Sequence, residues 1–347
     1  MEFTVNIMAP TPQPERFGDT EEIPVIDISA LRAGAPGAVE DIGAQVRHAL
    51  ENIGFYYIAG HGIDTATTDG AFSAAKQFSD LPTDRKMELE SKQHNIGYKP
   101  ARSRSYGRSS IQSRASKPSL NEAFFIKRDL PPGHPDVLAQ RPFRGLNKWP
   151  ADLPGFRDSV LTYLDAVEAL AKSLLPAYAR ALDMPADFFD EHFREPMYTL
   201  RLAFYPAPDV IKEGDFGLPP HADTSFMTLL APNPTAGLEI RLPTGRWVNA
   251  PFVPGAFLVN GGDMLRRWTN DRFLATPHRV INRTGGARYA VPFFFDCDIN
   301  TVMAAIPSCV PPGTTSRYDP VSYTDYMTWY LSLKPEQASD GATALDG

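Results

Sequence analysis

Between positions 38 and 53, Val39, Ile42, Val46, Leu50 and Ile53 recur at spacings of three and four, while Asp41, Arg47 and Glu51 take the other side. That period turns one apolar stripe toward a core and predicts a helix over about 38–52, stopped by Gly54. Short runs rich in β-branched and aromatic residues at 23–28 and 55–58 predict strands on either side of it. His61-Gly62 then reads as a turn into a second helix over about 66–81. The longest helical period, Val160, Leu164, Val167, Leu170, Leu174 and Leu175, predicts a scaffold helix over 156–182.

From about Tyr198 the period falls toward two. β-rich runs near 199–205, 225–231, 238–242, 256–260, 277–283 and 288–295 are separated by Gly, Pro and Asn. Short strands at such intervals predict an antiparallel sandwich or barrel with the helices packed outside it. Neither an internal repeat nor an interdomain linker interrupts the pattern. The expected organisation is one domain over 1–347, with a helix-rich portion at 20–195, a β core at 196–300 and a C-terminal extension at 301–347.

Composition narrows the function classes. The 33 prolines and 25 glycines of the 347-residue chain exclude a coiled coil or helical bundle. A net charge of −7 provides no cationic field, so neither nucleic acid nor an anionic membrane is an expected partner. No window approaches the run of about 20 apolar residues that spans a bilayer, and positions 1–22 lack the pattern of a secretory leader. Two cysteines, Cys297 and Cys309, are too few for a disulfide framework, and no zinc-type Cys/His spacing occurs. A soluble, cytoplasmic protein is the expectation; oligomeric state is left open. Between 95 and 121 the chain carries Lys99, Arg102, Arg104, Arg108, Arg114 and Lys117 with no acid. This predicts a loop, either simply solvated or placed to attract an acidic substrate.

The sharpest chemical feature is His221-Ala222-Asp223, entered through Pro219-Pro220. In an extended segment residues two apart face the same way. An imidazole and a carboxylate would therefore project together, and a buried carboxylate calls for a cation. His278, on another expected strand, supplies a third donor. Two histidines and one carboxylate leave open positions on one side of a metal, as in non-haem Fe(II) sites that activate O2; zinc also accepts this donor set. The other histidines read as structural.

Ten residues after His278, Arg288 shares a strand face with Ala290, Pro292 and Phe294. A permanently charged, forked donor there calls for a carboxylate, from a small organic acid or from the protein. On the run at 199–205, Arg201, Ala203 and Tyr205 share a face. The Tyr205 hydroxyl suits the same acid or a core hydrogen bond, and Arg201 is a weaker candidate for a second anion contact. Phe226 and Phe294 are candidates to line an apolar substrate site, with core packing the alternative.

With these residues in place, the sequence resembles the isopenicillin N synthase-like group of Fe(II)/2-oxoglutarate-dependent dioxygenases. The resemblance covers most of the chain. It runs through the segment at 23–28, Gly54-Phe-Tyr-Tyr-Ile58 with His61-Gly62, Lys117-Pro-Ser-Leu-Asn-Glu-Ala-Phe124 and Phe204-Tyr205-Pro206. It continues through His221-Ala-Asp223, Gly237-Leu238, the stretch from Asn260 to Asp263, His278-Arg279-Val280 and Arg288. The resemblance implies a double-stranded β-helix, or jelly roll, mainly β with surrounding helices. It implies Fe(II) held by His221, Asp223 and His278, and 2-oxoglutarate held by Arg288 with help from Tyr205. Phe294 would lie near a small-molecule substrate oxidised with O2, by hydroxylation first of all, or by desaturation or cyclisation, with release of succinate and CO2.

Two positions depart from the family pattern. Arg288-Tyr289-Ala290 stands where Arg-x-Ser is usual, and Ala203-Phe204-Tyr205 where Asn-x-Tyr is usual. Two co-substrate hydrogen bonds would be missing. Two further readings remain at this level: an oxidase that dispenses with 2-oxoglutarate, as isopenicillin N synthase does, and a non-catalytic jelly roll that binds a metal and a small acid. A zinc hydrolase would lack a His-Glu-x-x-His general-base motif and any use for Arg288.

Overall fold

A computed structural model describes residues 22–101, 119–207 and 216–332. The basic residues Arg102, Arg104, Arg108, Arg114 and Lys117 lie outside the described residues.

The three long amphipathic periods form the helices Ala38–Asn52, Thr65–Ser79 and Phe156–Ala181. Asp64 caps the second by accepting a hydrogen bond from the Thr67 amide at 2.7 Å, one of the orphan donors at a helix start. Val46, Leu50, Val160, Leu164, Val167 and Leu174 are all buried, so the apolar stripes face the core as their spacing requires. No described helix is long and apolar enough to cross a membrane.

Strands occupy two sheets. The larger runs Val25–Asp27, Phe55–Ala59, Phe257–Gly261, Met227–Leu230, Pro292–Asp298, Pro196–Tyr205, Glu122–Lys127 and Gly97–Lys99, with Arg288–Ala290 also paired to Pro196–Tyr205. All its neighbours are antiparallel except the first pair. The smaller sheet runs Leu218–His221, His278–Val280, Leu238–Arg241 and Trp247–Asn249. Pro219 and Pro220 sit on its edge strand, where a missing backbone N–H costs no ladder bond.

Alternation along the larger sheet separates two environments. Leu200, Leu202, Met227, Leu229, Phe257, Val259, Phe293 and Phe295 belong to the main core with the helices. The intervening residues look across to the smaller sheet, where Ala123, Ala203, Tyr205, Val280 and Ala290 cluster at one end and Phe55, Tyr57, Ile240 and Leu258 at the other. The result is a double-stranded β-helix with helices laid on one outer face.

The helix-rich portion at 20–195 also donates Val25–Asp27, Phe55–Ala59, Gly97–Lys99 and Glu122–Lys127 to the main sheet. One expectation needs correction. The expected strand at 288–295 is two, Arg288–Ala290 and Pro292–Asp298, because Pro292 cannot donate to the ladder. Both pieces keep one register against Pro196–Tyr205, so the face shared by Arg288, Ala290 and Phe294 survives the break.

Candidate metal and co-substrate site

Cross-strand pairing places His278 directly opposite His221, with ring centroids 4.3 Å apart. Asp223, two residues beyond His221, turns its Oδ1 to within 3.7 Å of His221 Nε2 and 3.5 Å of His278 Nε2. One ligand atom from each of the three lies within 4.8 Å of the others, the only such cluster of metal-ligating groups among the described residues. The Asp223 and His278 side chains are 5% and 11% exposed and that of His221 21%, so the cluster opens to a ligand on the His221 side.

Each donor is oriented from behind. His221 Nδ1 lies 2.9 Å from the Pro219 carbonyl oxygen and His278 Nδ1 3.3 Å from that of Thr276. A carbonyl only accepts, so the hydrogen sits on Nδ1 and the Nε2 lone pair points into the cluster. Asp223 Oδ2 accepts from Thr228 Oγ1 at 2.7 Å and Asn260 Nδ2 at 2.9 Å, leaving Oδ1 for a cation. The donor set and its orientation fit Fe(II).

Electrostatics agree with that geometry. Burial, then the adjacent His278 imidazole, beside which a proton is disfavoured, push the His221 imidazole well below its ordinary range and keep it neutral and available as a ligand. Burial works to raise the Asp223 carboxyl, but His278, His221 and the bonds from Asn260 and Thr228 outweigh it and hold the group ionised.

Asn260 and Thr228 are cross-strand neighbours, and Thr228 lies opposite Phe294. The row Asn260, Thr228, Phe294 and Thr199 therefore crosses the main sheet beneath the cluster. Supporting groups of this kind hold metal affinity through ligand orientation. Thr228→Val and Asn260→Ala are each expected to weaken Fe(II) binding about 10- to 100-fold with the fold intact, read by anaerobic metal titration and circular dichroism.

Arg288 lies across the ladder from Tyr205, its guanidinium 5.2 Å from the phenol ring centroid and 3% of the residue exposed. Its Nε donates to the Thr235 carbonyl at 3.3 Å, and its Nη1 is buried without any partner. Burial pulls the guanidinium below its ordinary pKa, Tyr205 only partly offsets this, and no acid pairs with it among the described residues. A buried unpaired cation is costly, and a bidentate carboxylate from a ligand supplies what the protein does not. Gly237, at φ +132°, keeps that corner open: a Cβ there would meet the Ile281 carbonyl oxygen at 2.8 Å and Arg288 Cδ at 3.6 Å.

Ala203 and Ala290 are cross-strand partners on the same interior face, buried at 1% and 4% exposure. The wall beside Arg288 is thus apolar. Ala290→Ser would restore one hydroxyl donor, and a neutral hydrogen bond of about 1 kcal/mol predicts a Kd for 2-oxoglutarate about fivefold lower, measured by calorimetry.

The other candidates divide. Phe294 is half-buried on the interior row beside Thr228. Phe226 is fully buried against Tyr178, Phe189, Phe193 and Trp268, which makes it part of the aromatic core and removes it from substrate contact. His61 is structural, its Nε2 2.7 Å from the Gly255 carbonyl oxygen. Thr228 and Thr235 escaped the sequence reading, and Asn260 entered it only as part of the resemblance, with no role. The available signal was a lone polar residue inside an apolar strand: Thr228 between Met227 and Leu229, and Asn260 after Phe257-Leu258-Val259.

A jelly roll with an inward His/Asp/His cluster and a buried, unpaired arginine on the same interior defines a non-haem iron oxygenase that takes an acidic co-substrate. Comparison with known proteins agrees. Residues 196–296 match the 2OG-Fe(II) oxygenase superfamily, and residues 23–152 the N-terminal region described for a non-haem dioxygenase of morphine synthesis. The chain is 33% identical over 312 residues to the 2-oxoglutarate-Fe(II) type oxidoreductase hxnY of Emericella nidulans, covering 88% of each. It is 36% identical over 292 residues to the 2-oxoglutarate-dependent dioxygenase citB of Monascus ruber, covering 80% of this chain and 85% of the relative. A similar solved structure is that of a full-length Neurospora crassa protein in complex with alpha-KG, with a TM-score of 0.79 and 26% identity, covering 90% of this chain and 96% of that one.

The chain belongs to the 2-oxoglutarate–Fe(II) oxygenase family, in its isopenicillin N synthase-like group. It is an enzyme of that dioxygenase type, with Fe(II) and 2-oxoglutarate as its cofactors.

Proposed function

We propose that this enzyme hydroxylates a small organic molecule, placing one atom of O2 on the substrate and the other in succinate as 2-oxoglutarate loses CO2. In this reading His221, Asp223 and His278 hold the iron. Arg288, with Tyr205 stacked beside it, holds the distal carboxylate of 2-oxoglutarate. When bound, the iron and co-substrate supply the oxygen chemistry that attacks a C–H bond. The chain positions them, keeps the His221 and His278 rings in the ligating tautomer and shields the reaction from water. Desaturation and cyclisation draw on the same machinery and are decided by the substrate.

The observation that carries this reading is the buried Arg288 Nη1 without a partner on the interior face that also faces the metal cluster. An oxidase independent of 2-oxoglutarate would leave that group to the substrate's own carboxylate. Small-molecule substrates accord with relatives such as the Neurospora crassa protein solved in complex with alpha-KG and thymine. The test is a balance of aerobic turnover in the presence of Fe(II). Succinate should appear in step with O2 and 2-oxoglutarate consumed, even in slow turnover without substrate. O2 uptake with no succinate would overturn the assignment.

A further inference from the structure

Arg288 is not the only cation facing the interior. Pro196–Tyr205 alternates, so Thr199, Arg201, Ala203 and Tyr205 share the face that looks to the smaller sheet. Thr199 belongs to the row beneath the metal cluster, and Tyr205 lies opposite Arg288. Arg201 stands between these two levels. Its cross-strand neighbour on one side is Phe125, and the common register places Pro292 on the other.

Among the described residues, Arg201 has no acid partner. Its guanidinium lies 5.7 Å from the Phe125 ring centroid, and its Nε is buried without a hydrogen-bond partner. No ion pair or hydrogen bond to Arg201 occurs among the described residues. Lys99 approaches the same ring, its Nζ 4.6 Å from the centroid. Burial, followed by the charges of Arg201 and Lys127, lowers the Lys99 ammonium to about 8. Two positive side chains around one aromatic ring, with Phe294 in the adjoining row, form a wall suited to an anion attached to an apolar body.

We propose that Arg201, supported by Lys99, binds a carboxylate of the substrate, so that the enzyme acts on small organic acids. This rests on the reading of the site given above, in which Arg288 is already committed to 2-oxoglutarate. The two arginines then divide the labour: Arg288 selects the co-substrate, and Arg201 selects the molecule to be oxidised and fixes which end of it lies away from the iron. Removing Arg201 leaves the Arg288 contacts in place.

The test uses the anaerobic Fe(II) enzyme saturated with 2-oxoglutarate, whose visible absorption first verifies that the co-substrate is chelated. Benzoate, phenylacetate and hexanoate, each beside its primary amide, are then titrated at up to millimolar concentration by calorimetry. At least one acid should bind, with its amide about 10- to 100-fold weaker. That preference should vanish in Arg201→Gln, return in part in Arg201→Lys, and leave 2-oxoglutarate affinity unchanged in both. The proposal is overturned if no acid binds, if acid and amide bind alike, or if Arg201→Gln keeps the preference. It is equally overturned if that variant loses 2-oxoglutarate as strongly as it loses the acid. The wild-type comparison of acid and amide stands even if the glutamine variant does not fold. Absence of the chelate in wild-type enzyme would instead refute the functional reading beneath the proposal.

Discussion

Asp223→Ala protein is expected to retain its secondary structure, to bind Fe(II) at least about a hundredfold more weakly, and to form no succinate above background. Asp223 contributes the only carboxylate oxygen to the cluster, and in the proposed site its charge would offset that of the metal. Its replacement leaves two neutral imidazoles, a poor site for a hard cation. Thr228 Oγ1 and Asn260 Nδ2 lose their shared acceptor but keep Ser225 Oγ at 2.9 Å and the Gly261 carbonyl at 3.4 Å, so the cost stays at or below about 1 kcal/mol for each. Removal of an ionised group from a buried site acts in the opposite direction in the metal-free protein. The net shift in melting temperature should therefore be modest without metal, while the rise on adding Fe(II) expected for wild type should be absent. His221→Ala should behave alike. Near-normal succinate formation by either variant would remove the metal assignment.

Arg288→Gln is expected to separate the two cofactors. Arg288 touches no member of the metal cluster, so iron affinity should stay within about twofold of wild type. A charge-assisted pair is worth about 1.5–3 kcal/mol, which predicts 2-oxoglutarate binding weakened about 10- to 100-fold. Because Arg288 Nη1 has no hydrogen-bond partner among the described residues, little of that effect is masked by a rearranged internal salt bridge. The apo protein should be no less stable than wild type, since an unpaired buried cation has been removed. Calorimetry with 2-oxoglutarate and thermal unfolding without it read the two effects separately. Equal losses of iron and 2-oxoglutarate affinity would show that Arg288 acts through the fold.

The parts legible in the sequence were those carried by a repeating local rule. Val39, Ile42, Val46 and Leu50 marked a helix whose observed bounds are Ala38–Asn52, because a period of three and four states both the element and its buried face. Histidine and aspartate two apart in an extended run were readable as a pair for the same reason. What pairs with what was not local. Nothing near Val25 or Glu122 says that these strands join the sheet of Pro196–Tyr205 and Phe257–Gly261, so the strands read at 23–28 and 55–58 had no assigned partners. The short helix Asp263–Trp268 carries no long period; it is fixed by the Asp263 amide donating to the Asp223 carbonyl at 2.7 Å and by Arg266 bound to the Asp263 carboxylate. Phe226 shows the converse error. Proximity in sequence to Asp223 suggested the site, whereas the chain direction after Ser225 sends its ring into the core between Tyr178 and Trp268. Arg201 was visible as a charge on an apolar strand, but its lack of an acid partner is a property of the assembled barrel.

The most direct test of the account is the visible spectrum of metal-free protein given Fe(II) and 2-oxoglutarate under anaerobic conditions. A weak charge-transfer band from the chelated co-substrate is predicted, lost in Asp223→Ala through loss of iron and in Arg288→Gln through loss of 2-oxoglutarate at concentrations that saturate wild type. Stoichiometric iron with no band in the wild-type protein would contradict it.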